Sequence, residues 1–319
     1  MARPRIFIDG HAGTVGLRIH ELLLAGEDLE LITLGEAQRK DRLARREAAN
    51  RADVVVLCLP DDAVREAVAW IENPDTRVLD ASTAHRVDPE FVYGLPELEP
   101  GHRTRIAEAR RVTSPGCYPT PVVLLLRPLV ESGLVPRNAL LALHALSGYS
   151  GGGRQLIERW EDPERELLSL RYEAPYALER VHKHVPEMLE YTRLLHAPQF
   201  VPAVGPFHSG MRVEIPLHAG LLASGVDAKA IWEALEARYT DERFVRLRPL
   251  QDPPQTDEGS FDPECCNGTN RIELAVAPHP SGHVLLVGLL DNLGKGAAGA
   301  AVQNLSLMLG LPEERGLTC

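Results

Sequence analysis

Short apolar runs alternate with amphipathic stretches over the first eighty residues. Four of the runs have the composition of buried strands, and the stretches after the first and third have the periodicity of helices. The strands are Arg5–Asp9, Leu29–Leu34, Ala52–Pro60 and Arg77–Asp80, and the helices are Leu17–Leu24 and Asp61–Ile71. The nearly continuous apolar character of Ala52–Pro60 is typical of a parallel strand covered on both faces. The pattern predicts a doubly wound, Rossmann-type α/β sheet.

The pattern changes after residue 117. A helix is predicted over Pro121–Ser132, and β-rich segments follow at Ala139–Leu146, Met211–Leu217, Arg271–Ala277 and His283–Leu290. Because the last two are joined by the turn-rich Pro278–Gly282, they favour a hairpin. The second half is therefore predicted to be an α+β domain with a mostly antiparallel sheet. The turn-rich stretch 250–266 predicts an exposed loop, and the Ala/Gly-rich Lys295–Leu309 a closing helix.

Charge and composition exclude several classes of protein. The 319 residues include 34 Lys and Arg against 45 Asp and Glu, a net charge of -11, which argues against a nucleic-acid surface. No apolar run is long enough to span a bilayer, and the N-terminal residues lead into a strand without a signal-peptide core. The five Cys are an odd number without a paired framework, so we expect a reducing, cytoplasmic location.

A glycine cluster follows the first strand. Gly10, Gly13 and Gly16 have the spacing G-x-x-G-x-x-G between a strand and a helix, which allows a sharp turn and a close approach of phosphate to backbone N–H groups. After the second strand, Glu36 favours a ribose hydroxyl, whereas Arg39 and Lys40 favour a 2′-phosphate. We expect NADP(H), although the two cations also fit a solvated basic stretch.

Cys117 lies in a tight turn before a helix that begins near Thr120 or Pro121. Helix N-terminal N–H groups favour the thiolate, which is the nucleophilic form. Thr120 is suited to the N-cap position. Cys58, inside an apolar run, is predicted to be an inert core thiol. Cys265 and Cys266 are adjacent, so a shared disulfide is geometrically awkward, and they lack properly spaced partners for a zinc site.

His182, His184 and Glu187 form a third group. Pro186 predicts a helix start there, which places Glu187 in the first turn beside His184. A carboxylate can hold a histidine in one tautomer for acid/base work. No third ligand accompanies the histidines, so no metal site is expected. Arg86 and Arg154 are suited to a phosphate or carboxylate of the substrate, or to surface ion pairs.

The motifs taken together resemble the N-acetyl-γ-glutamyl-phosphate reductase family in its short form. The resemblance extends over nearly the whole chain and is carried by these segments: Gly10–Gly16, Cys58–Pro60, Asp80–Arg86, Tyr93–Glu97, Pro115–Thr120, Ser147–Arg154 and Asp291–Gly296. The Pro-Gly-Cys-Tyr-Pro-Thr and Asp-Asn-Leu blocks are the most specific. Ser114 departs from the Asn that the family usually has.

The resemblance implies an NADPH-dependent reduction of an acyl phosphate to an aldehyde in arginine biosynthesis. Cys117 would form a thioester, His184 would manage protons with help from Glu187, and His182 would bind substrate or share that work. The implied cofactor residues are Gly10, Gly13, Thr14, Val15, Gly16, Arg39, Lys40, Leu59, Pro60, Ser82 and Asn292, and the implied substrate residues are Arg86, Ser147, Gly148 and Arg154.

The resemblance also implies the domain plan. Residues 1–117 with 293–319 would bind NADP, and residues 118–292 would carry catalysis and the contacts of a homodimer or homotetramer. Three alternatives stay open: the equivalent reductase of lysine biosynthesis, an aspartate-semialdehyde dehydrogenase, and a non-catalytic NADP-binding redox sensor.

Overall fold

Two compact units make up the chain. A computed structural model describes residues 3–24, 26, 28–251 and 256–319. The first unit comprises Met1–Pro115 with Ala297–Thr318, and the second Gly116–Gly296 with Cys319. Residues 252–255 of the predicted loop 250–266 lie outside the described residues.

The first unit contains a six-stranded parallel sheet in the order β2-β1-β3-β4-β6-β5. Its strands are β1 (Arg5–Asp9), β2 (Glu30–Ile32), β3 (Val54–Leu57), β4 (Arg77–Asp80), β5 (Val92–Tyr93) and β6 (Arg111–Thr113). Its helices are α1 (Thr14–Leu24), α2 (Arg42–Arg51), α3 (Asp61–Ala69), α4 (His102–Glu108) and α9 (Gly299–Met308).

Alternate side chains of the central strands pack into two apolar layers, one on each face of the sheet. Val54 and Val56 of β3 pack with residues of α1, α4 and α9, whereas Val55 and Leu57 pack with residues of α2 and α3. Successive side chains of a strand point to opposite faces, so a strand buried on both sides must be apolar throughout. The predicted doubly wound α/β sheet is therefore confirmed.

The second unit contains a seven-stranded mixed sheet in the order β11-β12-β13-β10-β7-β9-β8. Its strands are β7 (Ala142–Gly148), β8 (Ala174–Pro175), β9 (Gln199–Gly205), β10 (Met211–Leu217), β11 (Val245–Leu247), β12 (Ile272–Pro278) and β13 (Val284–Leu290). Its helices are α5 (Pro119–Glu131), α6 (Gly153–Trp160), α7 (Val185–Thr192) and α8 (Ala228–Tyr239). Four of the six strand pairings are antiparallel, as predicted, and the other two are parallel.

Helix α5 lies across this sheet and is buried along most of its length. A Cβ at Gly288 of β13 would come 2.5 Å from the Cβ of Pro121, so this glycine allows the helix to approach the strand closely. The predicted hairpin between β12 and β13 is also present: His279 N donates to His283 O and Gly282 N to His279 O.

Candidate active site

Cys117 lies one residue before the N-cap of α5. The helix begins at Pro119 with Tyr118 as the N-cap, not at Thr120 or Pro121. The predicted capping role of Thr120 is wrong: its hydroxyl donates to Gly116 O at 2.9 Å from within the first turn. Pro119 and Pro121 carry no N–H and Thr120 N donates to Gly116 O, so any preference for negative charge at Cys117 comes from the aligned peptide dipoles of the helix rather than from a set of free N–H groups.

Glu187 lies in the first turn of α7, where the sequence predicted it, and only 1% of it is exposed. Its Oε1 accepts a hydrogen bond from Gly116 N at 2.7 Å. A buried charged acceptor therefore fixes the peptide immediately before Cys117, a role that sequence reasoning missed because the partners are 71 residues apart.

Gly296 closes the other side of the Cys117 turn. A Cβ at Gly296 would come 2.8 Å from Cys117 Cβ, closer than carbon atoms in proteins approach. Gly296 belongs to a single π-helical turn, Gly294–Ala298, within the segment predicted as a regular closing helix. Cys117 is thus packed tightly between its own helix and this turn.

His182 and two tyrosines form a hydrogen-bonded series. His182 Nδ1 accepts from His184 N at 3.2 Å, so the neutral ring carries its proton on Nε2. That nitrogen lies 3.3 Å from Tyr176 Oη, which donates to Tyr118 Oη at 3.1 Å. Burial, with Lys183 and Arg180 nearby, lowers the pKa of His182 to about 4. Burial likewise raises the pKa of Tyr176 to about 12. His182 is therefore neutral at physiological pH.

A cavity of about 530 Å³ opens beside these residues within the second unit. Cys117, His182 and His184, three of the four catalytic candidates named from the sequence, all line it, whereas Glu187 does not. Three cations also line it: Arg159, Arg180 and Lys183. Arg180 pairs with Glu179, whereas Arg159 and Lys183 make no ion pair with any carboxylate among the described residues.

The predicted substrate residues lie in different places. Ser147 and Gly148 line the cavity at the end of β7, and a Cβ at Gly148 would come 2.4 Å from His208 O. Arg154 lies on the exposed surface of α6, where it pairs with Glu158 at 2.7 Å. Arg86 lies in the first unit, buried, and donates to Ser114 O at 3.0 Å.

Asn292, predicted to contact the cofactor, is buried in the second unit. Its Oδ1 accepts from Gly210 N at 2.8 Å, and its Nδ2 donates to Ser150 Oγ at 2.9 Å. A Cβ at Gly151 would lie 3.4 Å from the same Nδ2. The side chain therefore joins β10 to the glycine-rich loop that borders the cavity.

The glycine cluster of the first unit forms the tight strand-to-helix turn that was predicted. Gly10 has φ +93°, and a Cβ there would come 2.4 Å from Cys58 O. A Cβ at Gly16 would come 2.4 Å from Gly10 O. Thr14 and Val15 begin α1, so their N–H groups belong to a helix N-terminus of the kind that holds phosphate.

The neighbouring cofactor candidates line the adjacent loops of this unit. Leu59 Cδ2 would lie 3.1 Å from a Cβ at Gly10, and Pro60 is the N-cap of α3. Ser82 N donates to Asp80 Oδ1 at 2.7 Å.

Beyond β2, Arg39 and Lys40 are exposed in a turn, and Arg39 pairs with Glu36 at 3.0 Å. Glu36, which favours a ribose hydroxyl, and Arg39, which favours a 2′-phosphate, therefore contact each other. Cys58 is half-buried, and burial raises the pKa of its thiol, with Asp80 and Asp9 contributing, as expected for an inert thiol.

Sequence reasoning missed several residues of the cavity, above all Tyr176, Arg159 and Lys183. A signal existed for Lys183, which stands between the two histidines. Tyr176 directly follows the two-residue strand β8, and Arg159 lies in the last turn of α6. The apolar pattern of the sequence did not predict either element.

Two further properties concern the described part of the chain. No three or more His, Cys, Asp or Glu side chains there are grouped so as to hold a metal ion. Among the same residues, no helix combines the length and apolar character needed to cross a membrane.

Two family matches cover most of the chain. Residues 5–106 match the NAD binding domain of semialdehyde dehydrogenases, and residues 117–292 match the semialdehyde dehydrogenase dimerisation domain.

Curated relatives align along the full length. N-acetyl-γ-glutamyl-phosphate reductase 2 of Pseudomonas putida is 49% identical over 99% of this chain and 100% of its own. The reductase of Burkholderia lata is 48% identical over 97% and 98%, and reductase 2 of a Nostoc species is 44% identical over 99% and 100%.

Solved structures show the same fold. Aspartate semialdehyde dehydrogenase II of Vibrio cholerae superposes with a TM-score of 0.73 at 16% identity, over 97% of this chain and 99% of its own. The Candida albicans enzyme with NADP gives 0.61 at 15%, over 97% and 99%. From the matches over both halves and the near-complete alignment with curated relatives, the chain belongs to the N-acetyl-γ-glutamyl-phosphate reductase family of semialdehyde dehydrogenases.

Proposed function

We propose that this protein reduces N-acetyl-γ-glutamyl phosphate to N-acetyl-glutamate semialdehyde with NADPH, in arginine biosynthesis. The name of the relatives at 44–49% identity supports the substrate. The observation that carries the chemistry is Cys117, held at the start of α5 in a cavity that also contains His184 and cations.

Cys117 acts as the nucleophile. Its thiolate attacks the acyl carbon, the C–S bond forms, the bond from carbon to the phosphate oxygen breaks, and inorganic phosphate leaves. NADPH, when bound, supplies the hydride that reduces the resulting thioester. The thiohemiacetal on Cys117 then loses its hydroxyl proton, the C–S bond breaks, and the semialdehyde leaves with the thiolate restored.

His184 is the acid/base. It is buried, lies directly before α7, and lines the cavity with Cys117. It accepts the hydroxyl proton as the thiohemiacetal collapses and returns one as the next hemiacetal forms. His182, neutral and lining the cavity, contacts the substrate rather than serving as the titrating acid. Glu187 supports the site by fixing the Gly116 peptide.

The cations of the cavity recognise the anionic substrate. Arg159 and Lys183, neither paired with a carboxylate in the described part of the chain, suit the phosphate and the α-carboxylate of the acyl phosphate. Ser147 and Gly148 supply polar groups from the cavity wall. Arg86 and Arg154, neither of which lines the cavity, remain proposed substrate residues from the sequence alone.

The first unit is the NADP-binding domain, and its residues fit the cofactor. Gly10 and Gly16 let backbone segments pack at distances that a Cβ would prevent, and the tight turn that results leads into the helix N-terminus, where the N–H groups of Thr14 and Val15 suit a pyrophosphate. Arg39 and Lys40 would hold the 2′-phosphate. The remaining residues of this unit that we propose for the cofactor are Gly13, Leu59, Pro60 and Ser82, and from the sequence we also propose Asn292 of the second unit.

The second unit is the catalytic and oligomerisation domain. Its match to a dimerisation domain supports a homodimer or homotetramer. We place the enzyme in the cytoplasm, in keeping with a small-molecule biosynthetic substrate.

The test is the reverse reaction, phosphate-dependent reduction of NADP, with N-acetyl-glutamate, aminoadipate and aspartate semialdehydes compared. We expect turnover with the first, and its loss in Cys117→Ser with NADP binding retained. Cys319→Ser, a terminal and exposed thiol, is the matched control. Preference for one of the other two semialdehydes would reassign the substrate. Absence of turnover with all three would favour the sensor alternative.

A further inference from the structure

Cys265 and Cys266 are adjacent thiols with unlike surroundings. Their sulfur atoms lie 3.8 Å apart in a turn of the second unit, before β12. Cys265 is exposed, whereas Cys266 is completely buried. The proposed reduction uses neither of them.

The surroundings of Cys265 favour its thiolate. Arg248 Nη2 lies 3.8 Å from Cys265 Sγ. A hydrogen bond from Cys266 is the main cause that lowers the pKa of Cys265, and Arg248 adds to it, while partial burial, Glu273 and Asp262 oppose it. An accessible thiol with thiolate character is the kind that peroxides oxidise first.

Cys266 is the protected partner. It packs with Ala275, Val287 and Leu289, and its Sγ lies 3.4 Å from Leu289 O. The contact with Cys265, followed by burial, raises the pKa of Cys266. A buried neutral thiol reacts slowly with a peroxide from solvent, yet Cys266 stands beside the exposed sulfur of Cys265.

We propose that Cys265 and Cys266 form a peroxide-oxidisable dithiol that closes reversibly to a disulfide between adjacent residues. The Cys265 thiolate attacks a peroxide oxygen, an S–O bond forms, the O–O bond breaks, and the departing oxygen takes a proton to give water or an alcohol. Cys266 then loses its proton and attacks Cys265 Sγ, the S–S bond forms, and hydroxide leaves as water. Two thiols lose two electrons and the peroxide gains them.

The geometry makes the product easy to reduce. The sulfurs must close from 3.8 Å to the ~2.05 Å of a disulfide. Adjacent residues hold their Cα atoms about 3.8 Å apart, below the range of about 4.4–6.8 Å usual for disulfides. Strained and exposed disulfides are the labile ones, so we expect thiols to restore the pair.

The experiment treats the reduced full-length protein with hydrogen peroxide, unfolds it in guanidinium chloride so that buried thiols react, blocks the remaining thiols with N-ethylmaleimide and analyses tryptic peptides by mass spectrometry. Both cysteines fall in the peptide between Arg246 and Arg271, apart from Cys117 and Cys319. We expect that peptide to lose two hydrogens and both alkylation sites together, and dithiothreitol to restore them. In Cys266→Ser, dimedone should trap a sulfenic acid at Cys265, whereas Cys265→Ser should leave Cys266 unmodified.

Phenylarsine oxide supplies a second measurement that needs only wild-type protein and the exposed-site variant. Phenylarsine oxide should protect both thiols of the wild type from alkylation. In Cys265→Ser, it should not protect the remaining thiol of Cys266. The proposal fails if both thiols stay alkylatable at peroxide concentrations that oxidise Cys117. It fails equally if Cys265 proceeds to sulfinic acid with Cys266 untouched, or pairs with Cys319.

Discussion

The carboxylate of Glu187 accepts a hydrogen bond from the backbone N–H of Gly116 at 2.7 Å, and both groups are buried. The bond joins the first turn of α7 to the peptide that precedes Cys117. Because His184 directly precedes the same helix, this carboxylate ties the segment that carries the proposed acid/base to the segment that carries the proposed nucleophile.

Replacing Glu187 by Ala should therefore lower kcat and the alkylation rate of Cys117 together. A hydrogen bond to a charged group contributes about 1.5–3 kcal/mol, which corresponds to about one to two orders of magnitude in rate. Glu187→Gln keeps an oxygen acceptor and should recover part of the loss. The matched control is Glu190→Gln, an exposed position on the same helix, and the idea is wrong if both glutamate positions respond alike.

Gly296→Ala should displace Cys117, the proposed nucleophile, without changing the thiol itself. The added Cβ would come 2.8 Å from Cys117 Cβ, so the Cys117 turn must shift. Overpacking of this kind costs about 1–3 kcal/mol of stability, and a displacement of ~1 Å at a reacting group can cost ~10²-fold in rate.

We expect turnover and Cys117 alkylation to fall more steeply than the melting temperature in that variant. Gly259→Ala serves as control, since its Cβ would lie 3.7 Å from the nearest side-chain atom, an ordinary contact. Normal turnover in Gly296→Ala would show that the π-helical turn is pliable and does not hold Cys117.

The parts of the fold that the sequence predicted are those with local signals. The apolar run around β3, the glycine turn at Gly10 and the cysteine before α5 each depend on residues within about ten positions of one another. Family resemblance then indicated the chemistry, and the relatives confirmed the family.

The missed features depend on distant partners or on weak patterns. Glu187 meets Gly116 across 71 residues, and Asn292 meets Ser150 across 142. Helix α2 was missed because its sequence is basic, with only Ala48 and Ala49 buried. Thr120 has a good capping side chain, but Pro119 can already occupy the first helical position, so the helix begins two residues before the predicted Pro121.

The low pKa of His182 predicts a pH dependence of stability. The folded-state pKa is about 4 against an ordinary 6.5, so between these values the unfolded chain binds more protons than the folded one. The free energy of unfolding therefore contains a contribution that is present above pH 6.5 and is lost as pH falls toward 4.

His182→Gln should remove that contribution. We expect its free energy of unfolding in urea to fall less between pH 7 and pH 5 than that of the wild type. One proton limits the difference in slope to about 1.4 kcal/mol per pH unit, and partial exposure of the ring reduces it. Lys183→Met, which removes a neighbouring cation, should give an intermediate slope. Parallel pH dependence in all three proteins would contradict the low pKa.

The ion pair between Arg39 and Glu36 predicts that substitutions at these two residues change the preference for NADPH over NADH. Arg39 Nη2 lies 3.0 Å from Glu36 Oε1, and both side chains are accessible, so Arg39 is engaged by a carboxylate that a 2′-phosphate must displace. A charge-assisted bond from Arg39 contributes about 1.5–3 kcal/mol, or about one to two orders of magnitude in affinity. We expect NADPH to be preferred over NADH by a margin of that order, mostly in KM.

Glu36→Gln should widen this preference for NADPH, because it releases Arg39 and removes a negative charge that would repel the 2′-phosphate. Arg39→Ala combined with Lys40→Ala should abolish it without lowering NADH use, while Arg65→Ala, which removes an exposed arginine paired with Asp62 on α3, should leave it unchanged. The measurement is kcat/KM for both cofactors at low and high salt. If neither the Glu36 nor the double substitution alters the ratio, Arg39 and Lys40 belong to a solvated surface, and 2′-phosphate selection lies elsewhere in the first unit.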